Sequence, residues 1–239
     1  MSKRRHVIST LAIILIIAGV LLVLNEHVSE VRIAKLKEEV QSPSTQNSTI
    51  DWDALKNQNP DVCGWLKVTG TSIDTPVVKP SAADMQYYLN HDFWGGWSQS
   101  GCAFMDFRAD PNTGSQLIYG HHINWSTLAF SELYDCWEQE RFDELENCIW
   151  STEEQCGLQL KPLCALVVHE TDERVQDVEQ TSIEDIRKNA LLLAVDASAQ
   201  APDYEELIAQ SHRCVKLVTC SALTPGQPWR CCVVFVDGN

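Results

Sequence analysis

Residues 214–236 read Cys214-Val-Lys-Leu-Val-Thr-Cys220-Ser-Ala-Leu-Thr-Pro-Gly-Gln-Pro-Trp-Arg230-Cys-Cys-Val-Val-Phe-Val236. Two runs rich in β-branched and apolar residues flank a segment holding Pro225, Gly226 and Pro228, residues that punctuate strands. The pattern predicts strands over Cys214–Thr219 and Cys231–Val236, paired as an antiparallel hairpin. Such a hairpin brings Arg230, a permanent cation, beside Cys220. A thiol at a strand's end, facing a loop, is more accessible than one in mid-strand. Access and a nearby cation or base are what a reactive cysteine needs. A buried strand-end cysteine is the competing reading, because free Cys is often core.

Outward from this hairpin, short runs predict further strands at Gly64–Val68, Ile73–Val78, Cys102–Asp106, Gln116–Tyr119 and Leu158–Val168. Seven or eight short strands broken by Gly, Pro, Asn and Asp predict a mainly β domain forming a closed or nearly closed barrel. Helices are expected at Asp51–Asn59, with Asp51 as N-cap, at Asp84–Leu89, at Leu128–Tyr134, and from Thr181 to about Gln210. In the last of these, Thr181 and Glu184 fit a capping box, and Ile183, Ile186, Ala190 and Leu193 recur at helical spacing. A helical insertion therefore directly precedes the strand that carries Cys220.

Val7 to Leu24 is a run of 18 uncharged residues. As a helix it spans about 27 Å, close to the hydrocarbon thickness of a bilayer. Asn25-Glu26-His27-Val28 follows it, without the small-x-small pattern of a signal-peptide cleavage site. Lys3, Arg4 and Arg5 precede it, so the expected topology is a single-pass membrane protein with a cytoplasmic N-terminus and an extracellular remainder. The expected organisation is a cytoplasmic tail over 1–6, a transmembrane anchor over 7–24, a stalk and linker over 25–50 and one catalytic domain over 51–239. The stalk ends in the polar stretch Gln41–Thr49.

Beyond Leu24 lie 15 of the 18 basic residues and all 33 acidic ones, a surface that repels nucleic acid. Apolar residues at 44% and charged residues at 21% exclude a disordered chain. The ten cysteines are spread without C-x-x-C pairs or Cys/His ligand spacing, so neither a disulfide framework nor a structural zinc is expected. Several stand inside apolar runs, where Cys behaves as a small hydrophobe.

His121 leaves the strand Gln116–Tyr119 just after Gly120, in Leu117-Ile-Tyr-Gly-His-His. An imidazole at such a strand end can face a cleft and exchange protons near neutral pH. Of the adjacent His121 and His122 only one can face a given side, since successive residues of an extended chain point oppositely. Arg230 can stabilise a thiolate or the oxyanion of acyl transfer. A solvated strand-edge Arg and a structural His are the bland readings of each taken alone.

Taken in order, the Tyr119-Gly120-His121 strand end, the Thr219-Cys220 strand end and Arg230 resemble the catalytic signature of the sortases. The family's usual Thr-Leu-x-Thr-Cys appears as Lys216-Leu217-Val218-Thr219-Cys220, without the first Thr. The resemblance points to class B through Asp51-Trp-Asp-Ala-Leu, Asn59-Pro-Asp-Val-Cys-Gly-Trp-Leu, Ile73-Asp-Thr-Pro-Val-Val, Tyr88-Leu-Asn-His-Asp-Phe and Gly101-Cys-Ala-Phe-Met-Asp-Phe-Arg. Val218 stands where class B members often have Ser, which bears on peptide selectivity. The resemblance implies an eight-stranded sortase-type β-barrel and a membrane-anchored cysteine transpeptidase. It implies catalytic roles for His121, Cys220 and Arg230, and no cofactor or metal. The implied partners are secreted proteins bearing a C-terminal sorting signal and a cell-wall precursor or pilin amine as acceptor. Two rivals stand beside it: a cysteine hydrolase of the papain type, which places its Cys before its His, and a non-catalytic surface domain.

Overall fold

The computed structural model describes residues 2–41, 50–124, 126–221 and 226–238, without the side chains of residues 2–12, 18, 21–23, 25 and 26. The linker expected up to Thr49 lies, from residue 42 on, outside the described residues, as does Pro225. The chain opens with α1 (Ser2–Val40) and α2 (Trp52–Gln58). As expected, Asp51 caps α2, its carboxylate accepting from the Ala54 N–H at 2.9 Å. There follow β1 (Val62–Val68), β2 (Asp74–Val78), β3 (Phe104–Met105), β4 (Ser115–Tyr119), α3 (Gln139–Phe142), β5 (Cys148–Ser151) and β6 (Leu158–His169). The chain ends with α4 (Glu173–Gln176), α5 (Ile183–Val195), β7 (Ala199–Gln200), α6 (Tyr204–Gln210), β8 (Cys214–Cys220) and β9 (Trp229–Val236).

The strands run in the order β5-β1-β2-β3-β4-β8-β9-β6-β7, and an additional β5–β6 pairing joins the ends. Eight strands therefore close on themselves, with β7 appended to β6, and closure leaves the barrel without an open edge. The pairs β2–β3 and β4–β8 are parallel and the others antiparallel. Leu66, Leu117, Trp150, Leu217, Val233 and Phe235 are fully buried in the main core. A second core joins Leu36 and Val40 of α1 to Leu55, Trp65, Tyr88 and Phe93. Around it the Arg32 guanidinium stacks over Trp94 at 3.7 Å from the ring centroid and Lys37 pairs with Asp74. The second half of α1 is thus held against the barrel.

Several expected elements change form. The helix expected from Thr181 to Gln210 is two helices, α5 and α6, separated by β7, which pairs with Cys164 and Ala165 of β6. Pro202 follows that strand and opposes a continuous helix. The cap is Ser182 in place of Thr181: its hydroxyl accepts from the Asp185 N–H at 3.1 Å, and Asp185 takes the place of Glu184. The helix expected over Leu128–Tyr134 shrinks to a 3-10 turn over Ser131–Leu133. Ala129 has φ of 52°, a left-handed value that a helix cannot continue through. The helix expected over Asp84–Leu89 is likewise a 3-10 turn, Tyr87–Leu89. The four-residue β5, which closes the barrel, is an addition to the expected strands. Among the described residues no helix is long and apolar enough to cross a membrane. Many side chains of the Val7–Leu24 run lie outside those residues; of the others, Ile13–Ile17, Val20 and Leu24 are exposed.

Candidate active site

Strand register carries the site. In the parallel β4–β8 pair, Ile118 stands beside Leu217 and Tyr119 beside Val218. The Gly120 N–H then donates to the Val218 carbonyl at 3.1 Å, so the pairing persists past the strand end and brings His121 level with Cys220. Gly120 is required there: a Cβ would meet the ring of buried Phe130 at 2.5–2.8 Å. Phe130 in turn donates its N–H to the His121 carbonyl at 3.0 Å. In the antiparallel β8–β9 pair, Cys220 is directly opposite Arg230. Residues directly opposite project to the same face of a sheet. The three residues named from sequence accordingly line one cleft of about 780 Å³ at the end of the barrel.

The ring of His121 is fixed by Nε2, which donates to the Leu89 carbonyl at 2.8 Å. A carbonyl only accepts, so Nε2 carries a proton and Nδ1 is the nitrogen left for proton exchange. His122 turns the other way and stacks on Tyr134, with centroids 4.3 Å apart.

Arg230 is more constrained than its sequence position indicates. Nη1 donates to the carbonyls of Gln227 at 2.7 Å and Trp229 at 3.1 Å, and Nη2 pairs with the Glu170 carboxylate. Nε and one Nη2 hydrogen remain for a ligand in the cleft. Glu170 was not singled out from sequence. It lies just past β6, whose last residues Val168 and His169 pair with Arg230 and Trp229. Nothing local distinguishes it from the chain's other acids; only the β6–β9 register does.

A polar cluster on the cleft wall was also missed. Arg108 donates to both oxygens of Asp106, at 2.9 and 3.0 Å, and Tyr119 reaches Asp106 at 3.4 Å. Burial pushes the Asp106 carboxyl up, but the hydrogen bonds and charge of Arg108 outweigh it and hold the group below its ordinary value. Burial first, then the Asp106 charge, raises the Tyr119 phenol.

All ten cysteines are thiols. Cys136, Cys148, Cys164, Cys214, Cys231 and Cys232 are fully buried. Burial pushes the thiols of Cys136 and Cys232 up to about 12 and that of Cys214 to about 11. Cys63 and Cys102 are half-buried, with sulfurs directed at carbonyls, and burial raises both. Cys156 is exposed but does not line the cleft; Cys220 is half-buried and opens into it.

No family model matches the chain. Sortase B of Staphylococcus aureus is 29% identical over 142 residues, which is 56% of this chain and 57% of the relative. Sortase B of Listeria monocytogenes is 35% identical over 84 residues, 33% of this chain and 32% of the relative. The matched region thus spans under two thirds of either relative. The S. aureus sortase B crystal structure superposes with a TM-score of 0.64 at 23% identity, covering 77% of this chain and 85% of that one. Clostridium perfringens sortase B gives 0.67 at 23% identity, over 78% and 99% of the two chains. Sortase B from Bacillus anthracis gives 0.72 at 17% identity, over 91% and 100%. The chain is sortase B-like in sequence and in fold. The eight-stranded closure expected from that resemblance is the architecture observed.

In this sortase B-like barrel, thiol accessibility is concentrated at two positions. Brief iodoacetamide treatment of the folded protein at pH 8, read by peptide mass mapping, should label Cys220 and Cys156. The six fully buried cysteines should react only after unfolding. Labelling of Cys231 or Cys232 at the rate of Cys220 would contradict the burial described here.

Proposed function

We propose that the chain is a cysteine transpeptidase of the sortase B kind. The observation that carries this reading is the register that sets His121, Cys220 and Arg230 at one level in one cleft. In the reaction, His121 takes the Cys220 thiol proton at Nδ1 as the sulfur attacks the carbonyl of a sorting-signal peptide bond. The tetrahedral oxyanion meets the free donors of Arg230. His121 gives a proton to the departing amine as the carbon–nitrogen bond breaks, leaving a thioester on Cys220. An incoming amine then attacks the thioester and yields a proton to His121, which passes it to the departing Cys220 sulfur as the new amide forms. S. aureus sortase B has been solved with a substrate, and a sortase B has been solved with triglycine, which supports a peptide donor and an amine acceptor for this chain. The proposed donors are secreted proteins with a C-terminal sorting signal, and the proposed acceptor is a cell-wall precursor or pilin amine. Val218, buried and on the cleft lining, gives the peptide an apolar contact where class B members often have Ser.

We also infer that Val7–Leu24 anchors the chain in the cell membrane with 51–239 outside. The support is the uncharged run itself, its basic flank and the exposed apolar side chains at Ile13–Ile17, Val20 and Leu24. Protease added to intact cells should degrade 51–239 and spare a tag placed before Lys3. A mature N-terminus near Asn25 would show cleavage instead.

Cys220→Ala should abolish peptide cleavage and amine transfer, while Cys231→Ala and Cys232→Ala should retain both. His121→Ala should lose on the order of 100-fold to 10,000-fold in kcat, and His122→Ala much less. Arg230→Lys should lose about 100-fold or more in kcat, because a flexible ammonium does not reproduce a fork held by two carbonyls and Glu170. Near-normal turnover in Arg230→Lys would remove the directed-donor role.

A further inference from the structure

Lys216 lies in the middle of β8 with no exposed surface. Removing an ammonium from water is expensive unless its protons find partners. Among the described residues no carboxylate oxygen pairs with it. Its Nζ donates instead to two main-chain carbonyls, Asp177 at 2.6 Å and Arg174 at 3.4 Å. Burial draws its pKa below the ordinary lysine value.

Those two carbonyls belong to the second residue of the four-residue α4 and to Asp177, the residue that ends it. A helix of a single turn has no stability of its own and leaves its last carbonyls without intrahelical partners. Asp172 caps the start of α4 through the Arg174 N–H at 3.0 Å, and Asn189 of α5 also donates to the Arg174 carbonyl at 3.0 Å. Lys216 closes the other end, from the strand that bears Cys220.

On its opposite side α4 forms the cleft wall through Val175 and Gln176. The Gln176 side-chain oxygen accepts from Tyr119 and from Arg108, both at 3.3 Å, and its nitrogen donates to the Glu170 carbonyl at 3.1 Å. Glu170 holds Arg230. An unbroken set of contacts therefore links the Lys216 ammonium to the wall that faces Cys220.

We propose that Lys216 is a positioning residue for peptide binding, pinning the α4 carbonyls and so fixing the Val175–Gln176 wall of the cleft relative to Cys220. The proposal rests on the transpeptidase reading and adds to it a residue that touches neither peptide nor reacting atoms. Lys216→Met keeps the apolar stem and removes the donors. Amide hydrogen exchange over 173–178 should become about tenfold faster, as expected from losing bonds of this kind. KM for the fluorogenic peptide that the wild type cleaves fastest should rise about tenfold, with kcat within about twofold. Iodoacetamide should alkylate Cys220 at the wild-type rate. Gln176→Ala, which cuts the same link at its cleft end and leaves the core intact, should raise KM similarly. The double variant should be no worse than the worse single one. Unchanged exchange or unchanged KM in folded Lys216→Met would overturn the proposal. Should that variant not fold, unchanged KM in Gln176→Ala would do so. A wild type that cleaves no peptide would defeat the transpeptidase reading, while the exchange measurement would still decide whether Lys216 pins α4.

Discussion

The pairing of β8 with a parallel neighbour on one side and an antiparallel neighbour on the other is the constraint on which the site depends. Cys220 is the last residue of β8. Its antiparallel partner fixes Arg230 opposite it, and its parallel partner delivers His121 to the same level one step beyond Tyr119. Because side chains alternate with a period of two, a slip of one residue in either pairing would turn one of the three away from the others. The tight packing of Gly120 against Phe130 and the Gly120–Val218 hydrogen bond oppose such a slip at the position where it would matter.

Around this frame the chain builds the cleft from pieces with little stability of their own. The helix α4 has four residues and β3 has two. They hold their places through polar links to the frame: Asp106 with Arg108 and Tyr119, Gln176 with both of these last two, Glu170 with Arg230, and Lys216 with the end of α4. Asp106, Arg108, Tyr119, Gln176, Glu170 and Arg230 all line the cleft, whereas Lys216 acts from behind α4. Preorganised groups of this kind need not rearrange as charge develops. Arg230 shows the same logic: the carbonyls and Glu170 that occupy three of its hydrogens also orient the remaining two.

Much of this was legible in the sequence because it follows from local pattern. The strands of the C-terminal hairpin, β4 and β6 announce themselves as apolar runs ended by turn residues, and the Asp51 cap was read directly. The three residues that meet in the cleft were named because each stands at or just beside a strand end, and a family signature joined them. What escaped was whatever depends on a distant partner. Glu170 is one acid among 33 until the β6–β9 register places it by Arg230. Lys216 is one lysine in an apolar strand until the fold places it, because the carbonyls it meets lie some forty residues earlier in the chain. The break in the helix after Val195 was imposed by pairing with β6, and the Leu128–Tyr134 helix was lost to a single left-handed residue, Ala129. The four residues of β5 carry too little pattern to be seen without the barrel they close.

On the proposed mechanism, this convergence makes Cys220 an acyl carrier. The most direct test is intact-mass and peptide-mapping spectrometry of the wild-type protein quenched with acid during turnover of a sorting-signal peptide. One hydroxylamine-labile adduct with the mass of the fragment on the N-terminal side of the scissile bond is expected, located on Cys220. An acyl adduct on another residue, or cleavage with no thioester intermediate trapped at any time, would contradict the mechanism.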